Sequence, residues 1–534
     1  MNLLKKPFAL LIVLGAVFTA PAYTQNISWQ KSLGGSSYEA ASSVQQTQDG
    51  GYIVAGTSGS SDGDVTGNHG GYDYWVAKLD STGNTTWKKT FGGTSSDWIS
   101  SIKQTQNGGY IIAGWSFSND GDVTGNHGTT GTSDYWIVKL DSTGNITWEK
   151  TLGGTGDDVA KSIQQTQDGG YIIAGYSSST DGDVTVNHGG NNDYWVVKLA
   201  PETGTSTPPA IEWQKSLGGS GDDVANSIQQ TQDGGYIVAG SSSSTNDDVI
   251  GNNGSRDYWV VKLDPTGNIT WQKSLGGSGT DVANSIQQTS DLGYIIAGTS
   301  SSTDGQVTGN HGFLDYWIAK LDAKGSITWQ KSFGGSDFEV ANSIQQTQDG
   351  GYIVAGWTDS TDGDIIGSHG ADFWILKLDP AGNMTWQKCF GGSYSEVANS
   401  IQQTSDLGYI IAGDSKSNDG DTTNNNGDSD YWVVKLNPTT GIKNSVYTDA
   451  KITVYPNLVS SINGSVNIKT DNITEALLTI TNAVGQVVYS NKVSTNDITF
   501  DVNNYSKGIY LIKVQGKYKN TKQEIFKIEK FIVQ

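Results

Sequence analysis

Short apolar runs separated by polar turns recur along almost the whole chain. Asp257-Tyr-Trp-Val-Val-Lys-Leu263 and Ile269-Thr-Trp-Gln-Lys273 flank the segment Asp264-Pro-Thr-Gly-Asn268. Aromatic and β-branched residues around a turn of Asp, Gly and Asn predict a β-hairpin. A full unit reads from Val282. Val-Ala-Asn-Ser-Ile-Gln-Gln-Thr is a first strand and Tyr294-Ile-Ile-Ala-Gly298 a second. Tyr316 to Leu321 is a third strand and Ile327-Thr-Trp-Gln-Lys331 a fourth.

The unit repeats. Trp29, Trp87, Trp148, Trp213, Trp271, Trp329 and Trp386 occupy one position, spaced 58, 61, 65, 58, 58 and 57 residues apart. Trp75, Trp136, Trp195, Trp259, Trp317, Trp374 and Trp432 occupy the other. Four antiparallel strands repeated seven times predict an all-β fold, a seven-bladed β-propeller. The chain starts with a lone fourth strand, Ile27 to Lys31, and its last repeat stops after a third strand, Tyr431 to Leu436. The N-terminal strand is therefore expected to complete the last blade and close the ring, removing exposed edges.

The ends read differently. Lys5-Lys6, the apolar run Phe8 to Phe18 and Ala20-Pro-Ala22 predict a signal peptide over residues 1–24. That run is too short to span a membrane as a helix, and no other segment is a transmembrane candidate. The propeller is expected over 25–437, a polar linker over 438–450, and a small Ig-like β-sandwich of alternating strands over 451–534.

Charge narrows the partners. Residues 448–534 hold ten lysines and seven acids, and the first 24 hold two lysines. The segment 25–447 therefore carries 21 basic and 47 acidic residues, net −26. Such a body repels phosphate backbones, so no nucleic-acid partner is expected. The lone cysteine, Cys389, replaces a repeated Ser and reads as a packed thiol, since a catalytic one needs a His in reach.

Strand parity puts tight turns on one face of the ring and long loops on the other, and the long-loop face is where a ligand is expected. All five histidines, His69, His127, His188, His311 and His369, fall in those loops. They read either as part of a ligand face or as turn-stabilising imidazoles. Asp62, Asp64, Thr66 and Asn68 alternate, with Asp73 twelfth from Asp62, a spacing like the oxygen ligands of a calcium loop. Asp120, Asp122, Asp181, Asp183, Asp362 and Asp364 repeat the acids. Calcium is the one candidate cofactor, against the reading that Asx residues serve turns. Trp98, Trp115 and Trp357 lie outside the two repeated positions and are candidates for sugar stacking on the same face. No catalytic residue stands out, because acids such as Asp157, Asp158, Asp222, Asp223 and Glu339 recur in most repeats.

Two resemblances follow from motifs. Leu263-Asp-Pro-Thr-Gly-Asn-Ile-Thr-Trp271 resembles the tryptophan-docking motif of quinoprotein alcohol dehydrogenase-like propellers, across about 400 residues of repeats. It implies a Trp wedged between neighbouring blades. The catalytic members carry a quinone beside calcium, often with a paired disulfide. This chain has neither the cysteine pair nor a singular ligand set, so the activity does not transfer. Residues 448–534 resemble the type A sorting domain of the Bacteroidota type IX secretion system. The matching features are Val454-Tyr455-Pro456-Asn457, Asn482-Ala-Val-Gly485, Lys507-Gly508-Ile-Tyr510 and the terminal Lys530-Phe-Ile-Val-Gln534; Leu458 stands where a second Pro is usual. The resemblance implies the type IX machinery as partner, and an extracellular or outer-surface location after Sec-dependent export. The expected function is a non-catalytic propeller binding a glycan or a protein. The alternative is an extracellular polysaccharide-degrading enzyme.

Overall fold

The computed structural model describes residues 25–128, 131–204, 206–438, 451–455, 458–459, 464–471, 473–482, 487–493, 497–503, 505–518 and 524–533. The signal peptide over 1–24 and all but the first residue of the linker expected over 438–450 lie outside them.

Seven four-stranded antiparallel sheets account for Gln25–Pro438. Blade one is Glu39–Gln46, Tyr52–Ser58, Asp73–Leu79 and Thr85–Phe91, and blades two to six repeat this order. Blade seven combines Glu396–Gln403, Tyr409–Ser415 and Asp430–Leu436 with Ile27–Leu33 from the start of the chain. Ile27 faces Leu436 and Leu33 faces Tyr431 in that antiparallel pair. The described residues contain no helix.

The burial pattern explains the strand types. Third strands such as Asp257–Leu263 are buried at every residue, which suits their near-continuous Tyr, Trp, Val and Leu. First strands alternate buried and half-buried residues, because one side faces an axial channel. The third-strand indoles, such as Trp75 and Trp259, are wholly buried. Each removes roughly 150–250 Å2 from water, on the order of 4 kcal/mol at about 25 cal/mol per Å2.

Blades are joined by both repeated tryptophans. Tyr74, Tyr135, Tyr194, Tyr258, Tyr316 and Tyr431 each donate their hydroxyl to the Trp carbonyl of the next blade, at 2.8 to 3.0 Å. Phe373 holds the seventh place and has no hydroxyl to give, though its ring still packs on Trp432 at 4.6 Å. The fourth-strand indoles lie across the next blade. Trp29 meets Tyr52 edge-on and covers the turn glycine Gly83, whose φ is 85°. A Cβ on Gly83 would sit 2.8 Å from the indole, so this docking needs glycine.

The C-terminal unit holds a three-stranded sheet (Lys451–Tyr455, Ser465–Asp471, Asp497–Asp501) and a five-stranded sheet. Val466, Ile468 and Phe500 from the first share one core with Leu478, Ile480, Ile512 and Val514 from the second. Tyr510 is buried in that core and donates to the Ser506 carbonyl at 2.9 Å. Gly508 opens the strand Gly508–Tyr518, and Tyr455 ends the strand Lys451–Tyr455. Pro456, Asn457 and Gly485 lie outside the described residues.

Candidate functional site

The long loops begin as the sequence suggests but spend their polar groups locally. His69 gives its backbone N–H to Asp73 at 2.7 Å, and its Nδ1 lies 2.9 Å from the same carboxylate oxygen. His127, His188 and His311 repeat the contact with Asp134, Asp193 and Asp315. His369 bonds Asp372 through its backbone N–H, with its ring nitrogen at 3.6 Å. Asn253 and Asn426 do the same to Asp257 and Asp430 with backbone alone. Each imidazole therefore contacts a carboxylate of its own blade, and His188 Nε2 also lies 3.7 Å from Asp248 of the next blade.

The loop acids are likewise engaged. Asp62 accepts the Ser36 N–H at 2.7 Å, and Asp64 pairs with Lys88 at 2.7 Å. The Thr66 carbonyl accepts the Thr90 hydroxyl, and Asn68 bonds the Ser58 carbonyl and the Gly70 N–H. Asp120, Asp181 and Asp362 take the N–H groups of Thr94, Thr155 and Ser336. Asp122, Asp183 and Asp364 approach Gly92, Gly153 and Gly334 at 3.3 Å. Asp62, Asp120, Asp181 and Asp362 fasten each loop to the preceding fourth-to-first connection, whereas Asp64 and Thr66 hold the fourth strand of their own blade. Among the described residues no group of three or more His, Cys, Asp or Glu converges as a metal site.

A pair of buried carboxylates marks every blade junction. Asp73 and Asp97 both reach Gly92, where a Cβ would lie 2.6 Å from an oxygen of each. Burial raises both, Asp97 to about 6. Asp158, Asp257, Asp372 and Asp430 are raised to about 6 by the same cause. Seven copies make this pair part of the scaffold. Cys389 is buried behind Trp374, and burial pushes its thiol up to about 12, which leaves it no nucleophile.

The long-loop mouth of the axis breaks the repetition. A cavity of about 610 Å3 opens where the first strands begin, on the long-loop side of the axis. Trp98 and Trp115 stand side by side on its wall, rings 6.1 Å apart and 8° from parallel. Tyr72 packs behind Trp98 at 4.6 Å, and Lys161 Nζ lies 4.8 Å from the Trp115 ring. Lys161 forms no ion pair with a described residue, and burial lowers its pKa. The opposite wall is Asn226, Asn284, Asn342 and Asn399, each donating to an alanine carbonyl of the next blade at 2.9 to 3.0 Å. Asp414 is the one carboxylate in the lining. Burial raises it to about 7, against the opposing pull of Lys416.

Two of the three stray tryptophans thus converge. Trp357 occupies the Trp115 position in blade six, pairs with Val340 and Phe373, and is not part of this lining. Lys161, Asp414 and Lys416 are additions that sequence reading did not single out. The available signal was a charge where other repeats hold Asn or Ser, for Lys161, or Thr, Ser, Tyr or Trp, for Asp414; the Lys416 position varies too much to give one.

The C-terminal residues 453–530 match a family described as a secretion system C-terminal sorting domain. No curated protein matches the chain. Among solved structures, the extracellular domain of a hybrid two component system from B. thetaiotaomicron is 12% identical, with a TM-score of 0.38 over 96% of this chain. The chain spans 60% of that one's length. A fungal alcohol oxidase of the AA5 family, in complex with copper, is 13% identical, with a TM-score of 0.44 over 96% of this chain and 99% of that one. PorZ, described as an essential bacterial surface component of the type-IX secretion system of Porphyromonas gingivalis, is 11% identical, with a TM-score of 0.17 over 95% of this chain and 100% of that one. At these scores none carries an argument about activity.

Proposed function

With a type IX secretion sorting domain at its C-terminus, a domain that implies export to the surface or medium, we propose that this β-propeller is a non-catalytic glycan-binding protein. The ligand sits in the long-loop mouth of the axis. The observation that carries the reading is the parallel pair Trp98 and Trp115 on the wall of a 610 Å3 cavity. Flat, half-exposed indoles beside amide donors suit the apolar face and hydroxyl rim of a sugar ring. Hydrolysis by two carboxylates has only Asp414 to draw on in this lining. Binding to a glycan array, lost in Trp98→Ala, supports the reading; a protein ligand with no glycan bound would replace it.

A second reading rests on Asp414 itself. A carboxyl raised to about 7 is poised as a general acid. Release of reducing sugar that Asp414→Asn abolishes would make the chain a polysaccharide-degrading enzyme.

Residues 1–24 act as the signal peptide and 438–450 as the linker. Pairing of Ile27–Leu33 with Asp430–Leu436 closes the ring. The two sheets after 451 form an Ig-like sandwich that engages the secretion machinery. The loop acids act as fasteners between connections, with no calcium required.

A further inference from the structure

The other end of the axial channel has different chemistry. Where the first strands end, a second cavity of about 290 Å3 is lined by a Ser-Ile-Gln segment from most blades. Six of the seven blades place a glutamine there: Gln45, Gln164, Gln229, Gln287, Gln345 and Gln402. Each side-chain oxygen accepts a backbone N–H from the neighbouring blade, at 2.6 to 3.0 Å. An N–H can be met only by the carbonyl oxygen of an amide, so the orientation of all six is settled. Their NH2 groups have no acceptor among the described residues and belong to the channel wall.

Blade two breaks the ring with Lys103. A lysine offers no acceptor, so the backbone N–H of Gln165 in the next blade lacks the partner its six counterparts have. The ammonium forms no ion pair with a described residue. Burial lowers its pKa, the direction expected of a cation without a counter-ion. The lining contains no carboxylate, although the body around it carries net −26.

The geometry points to an anion site: a small oxyanion, carboxylate or sulfate, bound in the tight-turn end of the channel by Lys103 and the ring of glutamine amides. Six amide NH2 groups and one ammonium line this end, and the serine hydroxyls beside them can donate as well. A cation would meet the Lys103 ammonium there, with no carboxylate to offset it. The site is separate from the tryptophan-lined mouth and stands whether or not that mouth binds sugar.

Titration calorimetry on the full-length protein tests it, with sodium sulfate and sodium acetate as probes in Tris buffer and ionic strength held with sodium chloride. The expected result is a single site for at least one anion. Lys103→Gln should weaken it about tenfold or more, the worth of a hydrogen bond to a charged group. That variant restores the residue the other six blades already accommodate, so its unfolding midpoint without anion should not fall. Lys103→Arg should retain binding, and Lys416→Ala, at the other mouth, should leave it unchanged. Selenate soaked into crystals should give anomalous density beside Lys103. No heat with either anion, equal affinity in Lys103→Gln, or selenate bound only elsewhere would overturn the proposal.

Discussion

The Tyr431 hydroxyl donates to the Trp75 carbonyl at 2.9 Å, joining residues 356 apart in sequence. It repeats a bond made at five other junctions and absent at Phe373. Tyr431→Phe removes the donor from the buried Trp75 carbonyl, so it should cost about 1 kcal/mol. Phe373→Tyr should add the missing bond and raise stability by a similar amount. Urea unfolding midpoints check both.

The carboxylates set opposite pH dependences. Asp97, Asp158, Asp257, Asp372 and Asp430 rise from 3.8 to about 6 on folding, so the folded chain holds their protons more tightly. Their contribution is complete below pH 3.8 and is lost as pH rises through about 6. Asp49, Asp80, Asp141, Asp264 and Asp291 fall to about 2, held there by hydrogen bonds and, for Asp49 and Asp291, a lysine. Their contribution is present above 3.8 and is lost as pH falls through about 2. Calorimetric melting temperature should therefore peak between these windows, near pH 4, and decline on both sides.

Chelation should leave the propeller unchanged. Asp62, Asp120, Asp181 and Asp362 hold backbone N–H groups, and a carboxylate so engaged needs no cation. EDTA should not shift the melting temperature, and added calcium should give no heat. By contrast, Asp181→Ala should destabilise by about 1–2 kcal/mol through its lost bonds to Thr155. A large EDTA shift would restore the calcium reading.

Deleting residues 25–34 should be severe. It removes a whole strand from blade seven, with Trp29 and Leu33, and exposes the edge Asp430–Leu436. Unchanged cooperative melting would refute closure by this strand.

At the long-loop mouth, Trp98→Ala and Lys161→Ala should each weaken glycan binding, by about tenfold for the indole. Thermal unfolding should move little, since both side chains are half-exposed.

The propeller was legible because its pattern is written seven times, and Trp and Tyr at fixed positions leave few other ways to bury them. The site was only partly legible. Trp98 and Trp115 were visible as tryptophans out of place. Lys103 and Lys161 were not, because one polar residue replacing another looks neutral until the fold puts it on the axis. The loop acids left two readings open for a physical reason: alternating Asp and Gly supplies oxygens for backbone N–H groups as readily as for calcium. The orphaned Trp75 indole N–H is a small case of the same kind. Lys88 stands where other blades offer Gln or Glu as acceptor, and Asp64 takes the lysine instead.

Blade seven is made from both ends of the domain, and this sets a timetable. Ile27–Leu33 is synthesised first, yet its partner Asp430–Leu436 arrives some four hundred residues later. The ring can thus be completed only after the last repeat has been made, and until then the strand Ile27–Leu33 waits without its partner.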